Sequence, residues 1–153
     1  MYPRIVLVGS PGAGKTTALH RIALNAAHSK LTNPRTSPLP FLLYLPSWRN
    51  EQSFSEFIKS QWPFGDDPFQ LFSTGDVIVL FDGLNEMGAR ASEKISSLRK
   101  WLHAEKTMEI EIDVNSVQQQ VLRRLMQSDH WREDLAPQRT IITCRVDDYG
   151  GAF

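Results

Sequence analysis

The chain holds a single cysteine, Cys144, among 153 residues, so no intrachain disulfide can form. That fits a reducing compartment, and a cytoplasmic location is expected. No apolar stretch approaches the roughly eighteen residues of a membrane span, so no membrane association is expected. The opening Met1-Tyr2-Pro3-Arg4 runs straight into an apolar segment, so no signal peptide is expected. Charge of either sign is not in excess: seventeen basic and seventeen acidic side chains cancel, which removes any bulk electrostatic case for nucleic acid or an anionic surface. The four histidines are scattered, without an H-E-x-x-H or C-x-x-C pair, so zinc chemistry is not indicated. Internal repeats and low-complexity tracts are also missing. What remains is one domain's length of ordinary globular composition, 41% hydrophobic, which suffices for a packed core.

Against this plain background one segment stands out. Gly9-Ser10-Pro11-Gly12-Ala13-Gly14-Lys15-Thr16 fits the phosphate-loop pattern G-x-x-x-x-G-K-[ST]. The apolar run Ile5-Val6-Leu7-Val8 enters it, and a helical pattern leaves it at Lys15. Strand, glycine-rich turn and helix N-terminus in that order aim several backbone N–H groups at one point, which suits a polyphosphate. In this pattern Lys15 reaches the β- and γ-phosphates, and Thr16 offers its hydroxyl to Mg²⁺. A turn that binds nothing is the competing reading, but lysine, threonine and both flanking elements are in register.

Further along, Leu19, Ile22, Ala23 and Ala26 predict a helix to about His28, ended by the proline-rich stretch 32–40. Phe41-Leu42-Leu43-Tyr44-Leu45 reads as a buried strand. Ser53 and Glu56 form a capping box ahead of Phe54, Phe57, Ile58 and Trp62 on a helical face. Asp67 and Pro68 start a short helix that Gly75 ends. Val77-Ile78-Val79-Leu80-Phe81 has no alternation and predicts a strand buried on both faces. Ile95, Leu98 and Leu102 mark another helix, and residues 108–114 alternate as an extended segment. Asn115 and Gln118 cap a further helix carrying Val117, Val121, Leu122 and Leu125, whose Arg123-Arg124 pair reads as a solvated face. Thr140-Ile141-Ile142-Thr143 gives a fourth strand. The alternation of strands and helices predicts an α/β layered fold with a mostly parallel sheet.

The strand at 77–81 ends in Asp82-Gly83-Leu84-Asn85-Glu86, a Walker B sequence. Ligands of open α/β sheets bind beyond the carboxyl ends of the strands, so Asp82 is expected on the phosphate-loop side, holding Mg²⁺. Glu86 is positioned in sequence to orient or deprotonate a water; the alternative is a solvated loop acid. Thr143-Cys144-Arg145 closes the fourth strand, and a polar residue or arginine there can sense a γ-phosphate. A strand-end threonine and a surface arginine is an equal alternative.

Three motifs together resemble the NACHT domain, from the STAND class of signal-transducing P-loop NTPases related to AAA+ proteins. They are Gly9-Ser10-Pro11-Gly12-Ala13-Gly14-Lys15-Thr16-Thr17, Phe81-Asp82-Gly83-Leu84-Asn85-Glu86, and Ile141-Ile142-Thr143-Cys144-Arg145. The resemblance implies a three-layer P-loop NTPase fold with strand order 5-1-4-3-2, and ATP or ADP with Mg²⁺ as ligands. It implies residues 9–17, Asp82 and Thr143 at the nucleotide, Thr16 and Asp82 at the metal, and Lys15, Glu86 and Arg145 in catalysis or sensing. Gly83 and Glu86 match the family's Walker B, whereas Asn85 stands where an acid is usual, which implies slow hydrolysis. The resemblance spans almost the whole chain but offers no role for residues 104–137, which read as an insertion. It also implies protein partners or self-oligomerisation in a longer parent, with ADP favouring a closed and ATP an open state.

With four strands legible, a fifth is expected to be missing. That would leave the first strand a bare sheet edge, an aggregation hazard in an isolated fragment that folds marginally and binds nucleotide weakly. Three functions are carried forward: a nucleotide-dependent signalling switch with slow Mg²⁺-dependent ATP hydrolysis, a P-loop phosphotransferase acting on a small molecule, and a nucleotide-binding module without hydrolysis. No base-recognition motif such as N-K-x-D separates adenine from guanine.

Overall fold

In the computed structural model the described residues are 4–88, 90–102, 107–111 and 139–145. They form an all-parallel, five-stranded sheet in the order β2-β3-β5-β1-β4. The strands are β1 (Arg4–Gly9), β2 (Leu39–Tyr44), β3 (Val77–Asp82), β4 (Thr107–Glu111) and β5 (Arg139–Arg145). Four helices accompany them: α1 (Lys15–Thr32), α2 (Phe54–Gln61), α3 (Pro68–Thr74) and α4 (Ala91–Leu102).

Alternation along each strand feeds two cores. Val6, Val8, Phe41, Leu43, Val79, Phe81, Ile142 and Cys144 line one face beneath α2, α3 and α4. Leu7, Ile78, Leu80 and Ile141 line the other, covered by Ala18, Leu19 and Ile22 of α1. This layering follows from handedness. The crossover from β1 to β2 runs across the sheet in one direction and those from β2 to β3 and β3 to β4 in the other. Right-handed connections therefore place α1 on one face and the remaining helices on the opposite one. All six residues of β3 are buried, as its unbroken apolar run predicts.

The α/β P-loop architecture expected from the sequence is present, and three of its details change. α1 continues one turn past His28, to Thr32, because Ala26, Ala27, Lys30 and Leu31 favour helix and only the Asn33-Pro34 step stops it. β2 is not buried throughout: Leu42 and Tyr44 are 39% and 52% exposed, because this strand lies at an edge of the sheet. The same edge position accommodates Pro40, which has no N–H to give a neighbour.

The third change concerns the far side of β1. It was expected bare, for want of a fifth strand, yet β4 pairs with it from Arg4↔Thr107 to Val8↔Glu111. The alternating segment read at 108–114 supplies this strand, so part of the region taken as an insertion belongs to the sheet. The capped helix expected at 115–125 lies outside the described residues.

Aromatic packing fixes α2 and α3 on the sheet. Trp48 stacks on Phe57 with ring centroids 5.6 Å apart, and Phe41 meets Trp62 edge-on at 5.0 Å. The capping box is formed as expected, with the Ser53 hydroxyl accepting the Glu56 N–H and the Glu56 carboxylate accepting the Ser53 N–H. On α4, the buried Lys94 donates to the Trp48 carbonyl and lies 5.6 Å from the Trp48 ring, tying that helix to the loop after β2.

Candidate functional site

Four strand ends meet at the carboxyl edge of the sheet. In register, Gly9 of β1 is paired with Arg145 of β5, and Tyr44 of β2 with Asp82 of β3. Between Gly9 and Lys15 the chain makes a turn in which Gly12 and Gly14 take φ of 77° and 83°, conformations that cost other residues strain. The Ala13 N–H closes the turn on the Ser10 carbonyl at 3.1 Å. Gly14 then caps α1 and, having no side chain, puts no capping acceptor on the first-turn N–H groups of the helix.

Lys15 bends back over this turn, donating to the carbonyls of Gly9 and Ser10 at 2.8 Å each. Its ammonium is held below the ordinary lysine range, first by burial and then by the positive charge of Arg145.

Asp82 is buried at 7% exposure and shares the parity of Ile78 and Leu80, so it projects toward the layer that contains α1. There its Oδ1 accepts the Thr16 hydroxyl at 3.1 Å, although 66 residues separate the two in sequence. The same oxygen accepts the Thr143 hydroxyl at 2.6 Å, and the Thr143 oxygen accepts the Gly83 N–H at 3.1 Å.

Gly83 has a φ of +78°, and a Cβ there would lie 2.9 Å from Pro46 Cδ and 3.2 Å from Tyr44 Cε2. Only glycine meets both demands. The chain then turns through Leu84–Glu86, with the Glu86 N–H on the Gly83 carbonyl at 2.9 Å. The exposed Glu86 carboxylate accepts the Tyr44 hydroxyl at 3.4 Å.

The family model of the NACHT domain matches residues 3–145, spanning the glycine turn, the acidic turn after β3 and the end of β5. The chain belongs to the NACHT domain family. Comparison with curated proteins and with solved structures gave no match. As a NACHT domain of the STAND class it is a nucleotide-binding NTPase domain of the P-loop kind. No helix among the described residues is long and apolar enough to cross a membrane.

Within this NACHT domain the residues singled out in the sequence fall into two groups. Thr16, Asp82 and Thr143 join in one hydrogen-bonded set. Gly9, Ser10 and Lys15 form a second, with Arg145 beside it in the sheet. Pro11, Gly12 and Thr17 are exposed along the turn and the first turn of α1, and Ala13 is buried beneath them.

Glu86 is turned toward β2 by its bond to Tyr44, a residue that the sequence reading treated only as part of an apolar run. The signal that could have found Tyr44 is its position: like Asp82, it is the last residue of a parallel strand. Asn85 carries a buried Nδ2 with no hydrogen-bond partner among the described residues, a costly arrangement at the position where the family usually has an acid.

Chemically, the arrangement offers the first-turn N–H donors of α1 and an ammonium for phosphate oxygens. It offers a hydroxyl and a carboxylate for a hard cation, and a solvent-facing carboxylate at one side. The Thr16 hydroxyl and the Asp82 carboxylate are all-oxygen donors, which suit Mg²⁺ better than a softer metal.

Proposed function

We propose that this NACHT domain binds ATP with Mg²⁺ and hydrolyses it slowly, acting as a nucleotide-dependent switch. The observation that carries the reading is the 3.1 Å contact between Thr16 Oγ1 and Asp82 Oδ1. It brings the first turn of α1 and the end of β3 to a single point. Gly9 to Thr17 hold the phosphates through backbone N–H groups and side-chain hydroxyls, and Lys15 exchanges its bonds to the Gly9 and Ser10 carbonyls for the β- and γ-phosphate oxygens. Thr16 and Asp82 hold Mg²⁺, directly or through its waters. When bound, Mg²⁺ neutralises phosphate charge and draws electron density toward the leaving group.

Glu86 orients a water and takes its proton. Arg145, beside Gly9, senses the γ-phosphate and stabilises charge as the bond breaks. The differential contacts of the switch are those that Lys15 and Arg145 make to the γ-phosphate and lose after cleavage. Its output is conformational and is delivered in the cytoplasm to protein partners or to further copies of the parent chain.

A second reading, nucleotide binding without hydrolysis, is favoured by one observation: the buried, unpartnered Asn85 amide beside Glu86. Glu86→Gln separates the two, whereas Lys15→Ala tests the nucleotide site that both require. Under the switch reading, Glu86→Gln retains ATP binding and abolishes phosphate release, while Lys15→Ala loses binding. If the wild-type protein binds Mg-ATP but releases no more phosphate than Glu86→Gln, the domain is a binding module. If nucleotide is neither carried through purification nor taken up from solution, both readings fail.

A further inference from the structure

Thr143 ends the chain of contacts that runs inward from the nucleotide edge. It is 2% exposed, and its hydroxyl has a single proton, which is given to Asp82 Oδ1 at 2.6 Å. An oxygen lone pair is engaged by the Gly83 N–H at 3.1 Å. A hydroxyl bound in this way has no proton left for a phosphate oxygen. We infer that Thr143 is a positioning residue: it acts on the nucleotide site only through Asp82, setting the direction of the carboxylate that meets Thr16. The inference rests on the reading of Thr16 and Asp82 as the cation-holding pair.

The geometry explains why a threonine serves at this strand position. Both hydroxyls, from Thr16 and Thr143, fall on the same oxygen, Oδ1. Rotation of the carboxyl group about Cβ–Cγ is thereby fixed, and Oδ2 becomes the oxygen presented to an outside partner. Without the Thr143 hydroxyl the carboxylate would be held from one side only, by an exposed threonine on the helix that the ligand itself approaches. β-Branching restricts χ1 of Thr143, so its hydroxyl direction is set by the strand and not by the ligand. The bond to the Gly83 N–H also pins the backbone at the residue following Asp82, where φ is +78°. Carboxylate direction and the entry into the acidic turn are thus fixed by one buried group on the neighbouring strand β5.

Groups of this kind, lying behind a metal-holding side chain, commonly change metal affinity about 10- to 100-fold when removed. The test is binding of a fluorescent ATP analogue to the 153-residue chain, titrated with Mg²⁺ and repeated in EDTA, for wild type, Thr143→Val, Thr143→Ser and Asp82→Asn. Thr143→Val is expected to raise the half-saturating Mg²⁺ concentration about tenfold or more while leaving Mg²⁺-free binding unchanged. Thr143→Ser, which keeps the hydroxyl, should restore the wild-type response. Asp82→Asn should abolish the Mg²⁺ dependence.

If Thr143→Val responds to Mg²⁺ as wild type does while Asp82→Asn does not, the inference is overturned and the cation site stands. If Thr143→Val weakens binding equally with and without Mg²⁺, the hydroxyl contacts nucleotide directly, which also overturns it. An Asp82→Asn protein with a wild-type Mg²⁺ response removes the cation reading itself. Thr143→Ala carries the same comparison should the valine variant fail to fold, with thermal melting recorded for each protein.

Discussion

The Tyr44 hydroxyl donates a 3.4 Å hydrogen bond to Oε2 of Glu86, joining the end of β2 to the acidic turn after β3 across 42 residues of sequence. The Tyr44 ring also borders Gly83, where a Cβ would come within 3.2 Å of Tyr44 Cε2, so the side chain meets the turn near both its first residue and its last. Tyr44→Phe keeps the ring and removes the bond. ATP turnover in this variant is expected to fall about fivefold, the worth of one hydrogen bond, with nucleotide affinity and melting temperature unchanged. Single-turnover hydrolysis beside equilibrium nucleotide binding reads the two quantities separately. Equal turnover in both proteins would show that Glu86 is not held by this contact.

Gly83→Ala brings two penalties together. The backbone must keep a φ of +78°, and the new methyl would sit 2.9 Å from Pro46 Cδ. The expected cost is about 1–3 kcal/mol of folding stability, seen in urea denaturation as an earlier midpoint without a change in slope. Displacement of Tyr44 from the turn should reduce turnover as well, so this variant loses both stability and activity where Tyr44→Phe loses only activity.

Alkaline pH should weaken nucleotide binding earlier than a free lysine would require. Only protonated Lys15 pairs with phosphate, and its pKa in the nucleotide-free protein is lowered from 10.5, by burial first and by Arg145 second. Affinity therefore declines as pH rises through that lowered value, and the decline begins below 10.5. Arg145→Ala removes one of the two lowering causes and should move the decline to higher pH. Lys15→Arg, which stays charged throughout, should flatten it. Titration of nucleotide affinity between neutral and alkaline pH gives all three curves.

Phe57 is fully buried and stacks on Trp48, with the ring planes 14° apart. Phe57→Ala is expected to cost about 3–5 kcal/mol and to leave a chain that melts well below wild type. Because α2 carries none of the nucleotide-facing groups, the fraction that remains folded should keep wild-type nucleotide affinity. A loss of affinity in that folded fraction would mean that the helix layer over this core also shapes the site.

Much of this could be read from the sequence because the signals are local. The phosphate-loop turn, the capping box at Ser53 and Glu56, and the uninterrupted apolar run of β3 each depend on residues within a few positions of one another. The misreadings are of a different kind. The alternation around residues 108–111 shows an extended segment, but nothing local says that it pairs with β1, since pairing is decided by the crossovers and by which edge is left open. Tyr44 and Thr143 look like ordinary strand residues, and their roles arise because β2 and β5 flank β3. Leu42 shows the same limit in reverse, since an apolar residue in an apolar run is left partly in solvent by its edge strand.

The sheet order also has a temporal meaning. β1 pairs with β4 and β2 pairs with β3, but these two ribbons touch each other in the ladder only through β5. The glycine turn rides on one ribbon and the acidic turn on the other. Of the described strands, the one that must slot between them leaves the ribosome last. Until it inserts, the nascent chain holds two half-sites whose inner strand edges are unsatisfied, and Thr16 has no ladder to bring it to Asp82. Competence for nucleotide is therefore conferred by a keystone strand, and a chain interrupted before residue 139 should emerge as two blind halves rather than as a weaker version of the whole.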